Sequence, residues 1–72
     1  MNTDQAASEL FKISTMGEPN AKALASSCMA DFSRSNPGRS AADALLLKFR
    51  DLPVHNETAT FIFDELVKKV LR

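Results

Sequence analysis

A nucleophile paired with an imidazole base would have to be drawn from one cysteine, Cys28, or one of seven serines together with the single histidine, His55, of this 72-residue sequence. Nucleophilic catalysis requires such a group within hydrogen-bond reach of a base that a third group orients. Cys28 stands at offset 7 in the apolar series Ala21, Leu24, Ala25, Cys28 and Phe32, where a free cysteine behaves as a small hydrophobe. His55 follows Pro53 in the turn-like stretch Pro53-Val54-His55-Asn56. A solvated loop position is expected there, with a pH-sensitive or partner contact as the functional alternative. One histidine and one cysteine cannot supply the usual zinc ligand sets, and Gly17 and Gly38 lie too far apart for a glycine-rich phosphate loop. The expectation is therefore no catalytic, metal-binding or cofactor-binding residue, and no enzymatic activity.

Basic residues offer a second chemistry. The stretch Arg34-Ser35-Asn36-Pro37-Gly38-Arg39-Ser40 leads into a helix start with two guanidinium groups beside hydroxyls. Together with Lys48 and Arg50 it is the candidate contact for an anion or nucleic-acid phosphate. Bulk charge weighs against that use. Nine Lys+Arg balance nine Asp+Glu, whereas nucleic-acid binders and membrane-surface proteins concentrate positive charge. The halves balance too: residues 1–36 hold three basic and four acidic groups, the remainder six and five.

The elements that position these groups are expected to be helices. Composition is ordinary for a globular domain, 44 % apolar and 25 % charged, and apolar residues recur with helical rather than alternating period. Turn chemistry at Gly17-Glu18-Pro19-Asn20, Asn36-Pro37-Gly38-Arg39 and Pro53-Val54-His55-Asn56 leaves four segments, about 3–16, 19–34, 40–52 and 56–71. The first takes a cap from Asn2 or Thr3, with Gln5 reaching back, and buries Ala6, Leu10 and Ile13. Pro19 suits the first turn of the second helix, and Ser40 with Asp43 reads as a capping box for the third. The third helix carries Ala42, Leu45, Leu46, Phe49 and Leu52 on one stripe and stops or kinks at Pro53. Asn56 caps the fourth, whose stripe is Ala59, Ile62, Phe63, Leu66, Val67 and Val70, with Asp64–Lys68 and Glu65–Lys69 as i,i+4 pairs. The fold class is all-α: one domain over residues 1–72, a small bundle of four short amphipathic helices, closed alone or completed by homodimerisation.

Apolar residues off these stripes carry the functional expectation. At 100° per residue, Phe61 falls about 160° from the centre of the fourth helix's apolar face, and Leu47 about 140° from that of the third. Leu71 and Phe11 flank theirs. So small a domain cannot cover both sides of a helix, which suggests contact with a second copy or another protein. Leu47, Phe61 and Leu71, rimmed by Lys68 and Arg72, are the candidate partner or dimer interface. The expected function is that of a small interaction module, a regulator, inhibitor or adaptor that occludes or captures a partner protein. The alternatives are a nucleic-acid-binding regulator using Arg34, Arg39, Lys48 and Arg50, and a self-assembling structural subunit. A lone cysteine suits a reducing cytoplasmic setting, and the size suits a bacterial or phage protein. The N-terminus lacks a signal pattern, and no apolar run approaches the length of a bilayer span.

Overall fold

Asn2 begins the chain's first helix by a reciprocal arrangement: its Oδ1 accepts from the Gln5 amide at 2.8 Å while Gln5 Oε1 accepts from the Asn2 amide at 2.9 Å. Two of the four orphan donors at the helix start are thereby satisfied. The computed structural model describes residues 1–71 and contains α1 (Thr3–Thr15), α2 (Ala21–Ser35), α3 (Arg39–Arg50) and α4 (Glu57–Leu71). No strand is present among the described residues, so the all-α expectation holds.

The helix boundaries correct three details of capping. Pro19 does not enter α2; it occupies the second position of a turn closed by the Ala21 amide on the Glu18 carbonyl at 3.1 Å. Asn20, with φ −95° and ψ 14°, has the third-position geometry of a type I turn, for which proline just before it is pre-organised. Ser40 and Asp43 form no capping box, because α3 already starts at Arg39 with Gly38 as its cap and no side-chain hydrogen bond there. Gly38 has φ +108°, open to glycine and strained for other residues, so the chain turns into the helix before Ser40 can cap it. At the other end α3 stops at Arg50, and Leu52 packs against the core from the turn that follows.

α1 and α2 form an antiparallel hairpin. At its open end Asn36 Nδ2 donates to the Met1 carbonyl at 2.6 Å, and at its closed end Gly17, with φ +68°, terminates α1. α4 lies beside α2 in the same direction, since Lys22 near the start of α2 pairs with Glu57 at the start of α4 at 2.7 Å. α3 packs on both α1 and α4. Lys48, near the end of α3, still reaches Asp4 in the first turn of α1. α3 therefore crosses α1 instead of lying along it, and residues 51–56 carry the chain to the far end of α1.

Leu10, Leu45, Ile62 and Leu66, from three of the helices, are fully enclosed at the centre. Around them pack Ala6, Ala7, Ala21, Ala25, Cys28, Met29, Phe32, Phe49 and Ala59. Alanines on the facing sides of α1 and α2 let those helices approach closely. Burying each large side chain contributes about 1.5–3 kcal/mol.

Two stripes differ from their sequence reading. Leu24 was expected inside α2 but is 42 % exposed, and Met29 is buried in its place. α2 packs on α4 as well as α1, which rotates its inward face toward Met29. Phe63 was expected on the buried stripe of α4 and is 36 % exposed, while Phe61, expected outside, is half-buried against the core. The buried sector of α4 extends toward α2, where the Lys22 ammonium lies 5.9 Å from the Phe61 ring centroid. The i,i+4 pairs of α4 are likewise replaced: Lys68 approaches Glu65 at 3.8 Å, an i,i+3 contact.

Candidate functional site

Met16 and Leu24 face outward on either side of the α1–α2 turn, 52 % and 42 % exposed. They are left so because the hairpin buries its small residues and splays the longer chains. Between the two helices runs an open groove of about 640 Å³, with Met1 at one end, Met16 and Leu24 at the other, and Ile13 and Cys28 within it. Three of the six large apolar side chains exposed among the described residues, Met1, Met16 and Leu24, line this one groove. Its charged lining side chains are Glu9 and Asp31. Lys12 pairs with Glu9 at 3.7 Å, and Arg34 pairs with Asp31, each one helical turn away on its own helix.

Cys28 sits in the wall of the groove, buried and unpaired with any other cysteine. Burial pushes its thiol above the ordinary range, and the carboxylates of Glu9 and then Asp31 push it further. A thiol so placed is held in its protonated form, the opposite of an activated nucleophile. His55 lies on a different surface, lining a cleft between α3 and α4 of about 420 Å³. Cys28 and His55 are thus not assembled into a nucleophile–base pair. The one buried serine, Ser14, donates its hydroxyl to the Leu10 carbonyl at 2.8 Å. No cluster of three or more His, Cys, Asp or Glu suited to a metal ion occurs among the described residues.

The sequence matches no protein-family model, no curated protein and no solved structure.

The basic residues expected to meet an anion are not gathered. Arg34 and Lys48 are engaged with Asp31 and Asp4. Arg39 and Arg50 stand at opposite ends of α3, about 16 Å apart along the helix axis. Of the proposed partner surface, Phe61 and Lys68 share the flank of α4 turned toward α2, where Lys68 joins Ser26, Met29, Glu65 and Lys69 around a small cleft. Leu47 is exposed on α3, 45 %, and Leu71 at the end of α4, 76 %. Arg72 lies outside the described residues. The structure therefore distributes these positions over α3 and α4, and Phe61 is partly buried against the core.

The α1–α2 groove was not legible in the sequence. The sequence places Met16 at the end of a helix and Leu24 in the core, and only the packing of α1 against α2 sets both on one groove. The signal available was the small-residue series Ala6, Ala7, Ala21 and Ala25, which requires close helices whose longer neighbours must splay. No helix among the described residues is long and apolar enough to cross a membrane.

Proposed function

We propose that the protein is a non-enzymatic interaction module, a regulator, inhibitor or adaptor that captures an amphipathic helix of a partner protein in the α1–α2 groove. The supporting observation is the gathering of Met1, Met16 and Leu24 along one groove whose charged lining, Glu9 and Asp31, is acidic. Exposed methionine is a flexible and polarisable contact that suits helix-in-groove recognition. Glu9 and Asp31, although each is also approached by a cation one turn away on its own helix, put carboxylates on the groove itself and so favour a partner helix with basic residues flanking its apolar face. Holding that helix hides its apolar side from other partners, which is the steric basis for inhibition or adaptor action.

Two synthetic helical peptides with the same leucine face, one flanked by lysines and one by glutamates, test this reading by amide-resolved NMR titration. The lysine peptide is expected to shift residues 5–16 and 24–31, the glutamate peptide to bind weakly, and Leu24→Ser to lower the lysine peptide's affinity by about tenfold. Leu47→Ser, on another surface, leaves it unchanged. Equal binding of both peptides, shifts elsewhere, or unaltered affinity in Leu24→Ser overturns the proposal. Self-association abolished by Leu24→Ser, without binding of either peptide, assigns the groove to a second copy instead.

A further inference from the structure

The cleft between the end of α3 and the start of α4 has a composition unlike the rest of the surface. Phe49, Val54 and Ala59 line its interior and Phe63 one wall, with Arg50, His55, Asn56 and Thr60 as its polar lining. Asn56 and Thr60 are already committed. Asn56 accepts from the Ala59 amide at 2.8 Å and donates to the Ser14 carbonyl at 2.8 Å, and the Thr60 hydroxyl donates to the Asn56 carbonyl at 3.1 Å. Arg50 and His55 have no such engagement among the described residues. Lys12, Lys22, Arg34, Lys48 and Lys68 pair with carboxylates, whereas Arg50, like Arg39 and Lys69, forms no such pair among the described residues.

No carboxylate lines this cleft. Glu57, the acid of α4's first turn, is drawn away to Lys22 on α2. A guanidinium and an imidazole that line the same cleft, with an aromatic and aliphatic interior, match a ligand that is anionic at one end and apolar at the other. The volume, about 420 Å³, falls in the range of small-molecule sites. The smaller cleft between α2 and α4, by contrast, lines Lys68 and Lys69 with Glu65 and so compensates its own charge.

We propose that the α3–α4 cleft binds a small amphipathic anion, a carboxylate bearing an aromatic or short aliphatic group. The Arg50 guanidinium holds the carboxylate in a two-pronged hydrogen bond, His55 donates a further one, and Phe49 and Phe63 enclose the apolar end. This site is separate from the α1–α2 groove and does not depend on it.

Amide-resolved NMR titration with phenylpropionate, with its uncharged amide and with inorganic phosphate reads the two halves of the site independently. Phenylpropionate is expected to shift residues 49–63 at millimolar concentration, and its amide to bind about tenfold more weakly, the scale of one charge-assisted contact. Arg50→Gln and Phe63→Ala each lower the affinity by a similar factor, while amides of α1 and α2 keep their wild-type positions and report an intact fold. Equal binding of acid and amide, or undiminished binding by Arg50→Gln, overturns the anion assignment. Phosphate binding as tightly as phenylpropionate overturns the apolar half, and shifts confined to the α1–α2 groove, or none, overturn the site.

Discussion

The Asn56 side-chain amide donates to the Ser14 carbonyl at 2.8 Å, joining residues 42 positions apart, while the same side chain's oxygen caps α4 through the Ala59 amide. One side chain thus closes the last turn of α1 and opens the first turn of α4. The Ser14 carbonyl is among the four that a helix end leaves without an intrahelical partner, so the bond satisfies a group that would otherwise rely on water. Position 56 consequently fixes how α4 meets α1, and with it one wall of the α3–α4 cleft.

Substitution at Asn56 separates its two roles. Asn56→Ala removes cap and tie and is expected to cost about 1.5–3 kcal/mol. Asn56→Ser keeps a capping oxygen but is too short to reach Ser14, so it should fall between alanine and wild type. Urea denaturation monitored by helical circular dichroism checks the order. Equal stability of the serine and wild-type proteins would mean that the tie contributes nothing.

Core and surface leucines of the same helix should respond oppositely. Leu45 is fully enclosed, and Leu45→Ala is expected to cost about 2–5 kcal/mol. Total stability for a chain of this size is about 4–10 kcal/mol, so the variant should be partly unfolded or close to it. Leu47 is 45 % exposed, and Leu47→Ala should stay within about 0.5 kcal/mol of wild type. Thermal unfolding of the two variants side by side provides the comparison.

The two phenylalanines of α4 should behave as the structure orders them. Phe61→Ala removes a half-buried ring packed against the core beneath Lys22 and is expected to destabilise by about 1–2 kcal/mol. Phe63→Ala, on the exposed wall of the α3–α4 cleft, should cost less than half as much. Chemical denaturation of both variants tests this, and the reverse order would return Phe63 to the core and Phe61 to the surface.

Acid should weaken the contact between α2 and α4. The hydrogen bond from Lys22, reinforced by its charge, holds the Glu57 carboxyl below the ordinary glutamate range, against a small opposing effect of desolvation. A depressed folded value contributes stability above the unfolded value, and that contribution is lost as pH falls through the folded one. Glu57→Gln should therefore flatten the acid limb of the stability profile below the ordinary glutamate range. The exposure of both side chains, 84 % for Glu57 and 50 % for Lys22, keeps the effect small and sensitive to salt. An acid limb identical to wild type would show the pair to be energetically silent.

Cys28 should be a slow thiol. Burial and the neighbouring Glu9 and Asp31 carboxylates push its pKa up and so suppress its ionisation, so a disulfide reagent is expected to modify it on the order of tenfold or more slowly than a free thiol at neutral pH. The rate should rise in urea and at alkaline pH. A native rate equal to that of the unfolded chain would contradict its placement.

The four helices are legible in the amino-acid order, because helical spacing of apolar residues and the chemistry of Asn2, Gly17 and Asn56 are local properties that act before any helix meets another. So is most of the core: Ala6, Leu10, Ile13, Leu45, Ile62 and Leu66 fall on stripes that only burial satisfies. Flank positions depended on something else. Leu24 and Met29 stand five residues apart on α2, and Phe61 and Phe63 two apart on α4. Which member of each pair is buried depends on whether a neighbouring helix lies to one side of the stripe or the other. The packing of whole helices settles that, by laying α2 beside α4 and crossing α3 over α1. The same packing engaged Arg34 and Lys48 with carboxylates, left Arg50 over an aromatic cleft, and set Met16 beside Leu24. A helix's own periodicity specifies an inward direction, but the width of the buried sector belongs to its neighbours, and both candidate sites of this protein lie at the edges of such sectors.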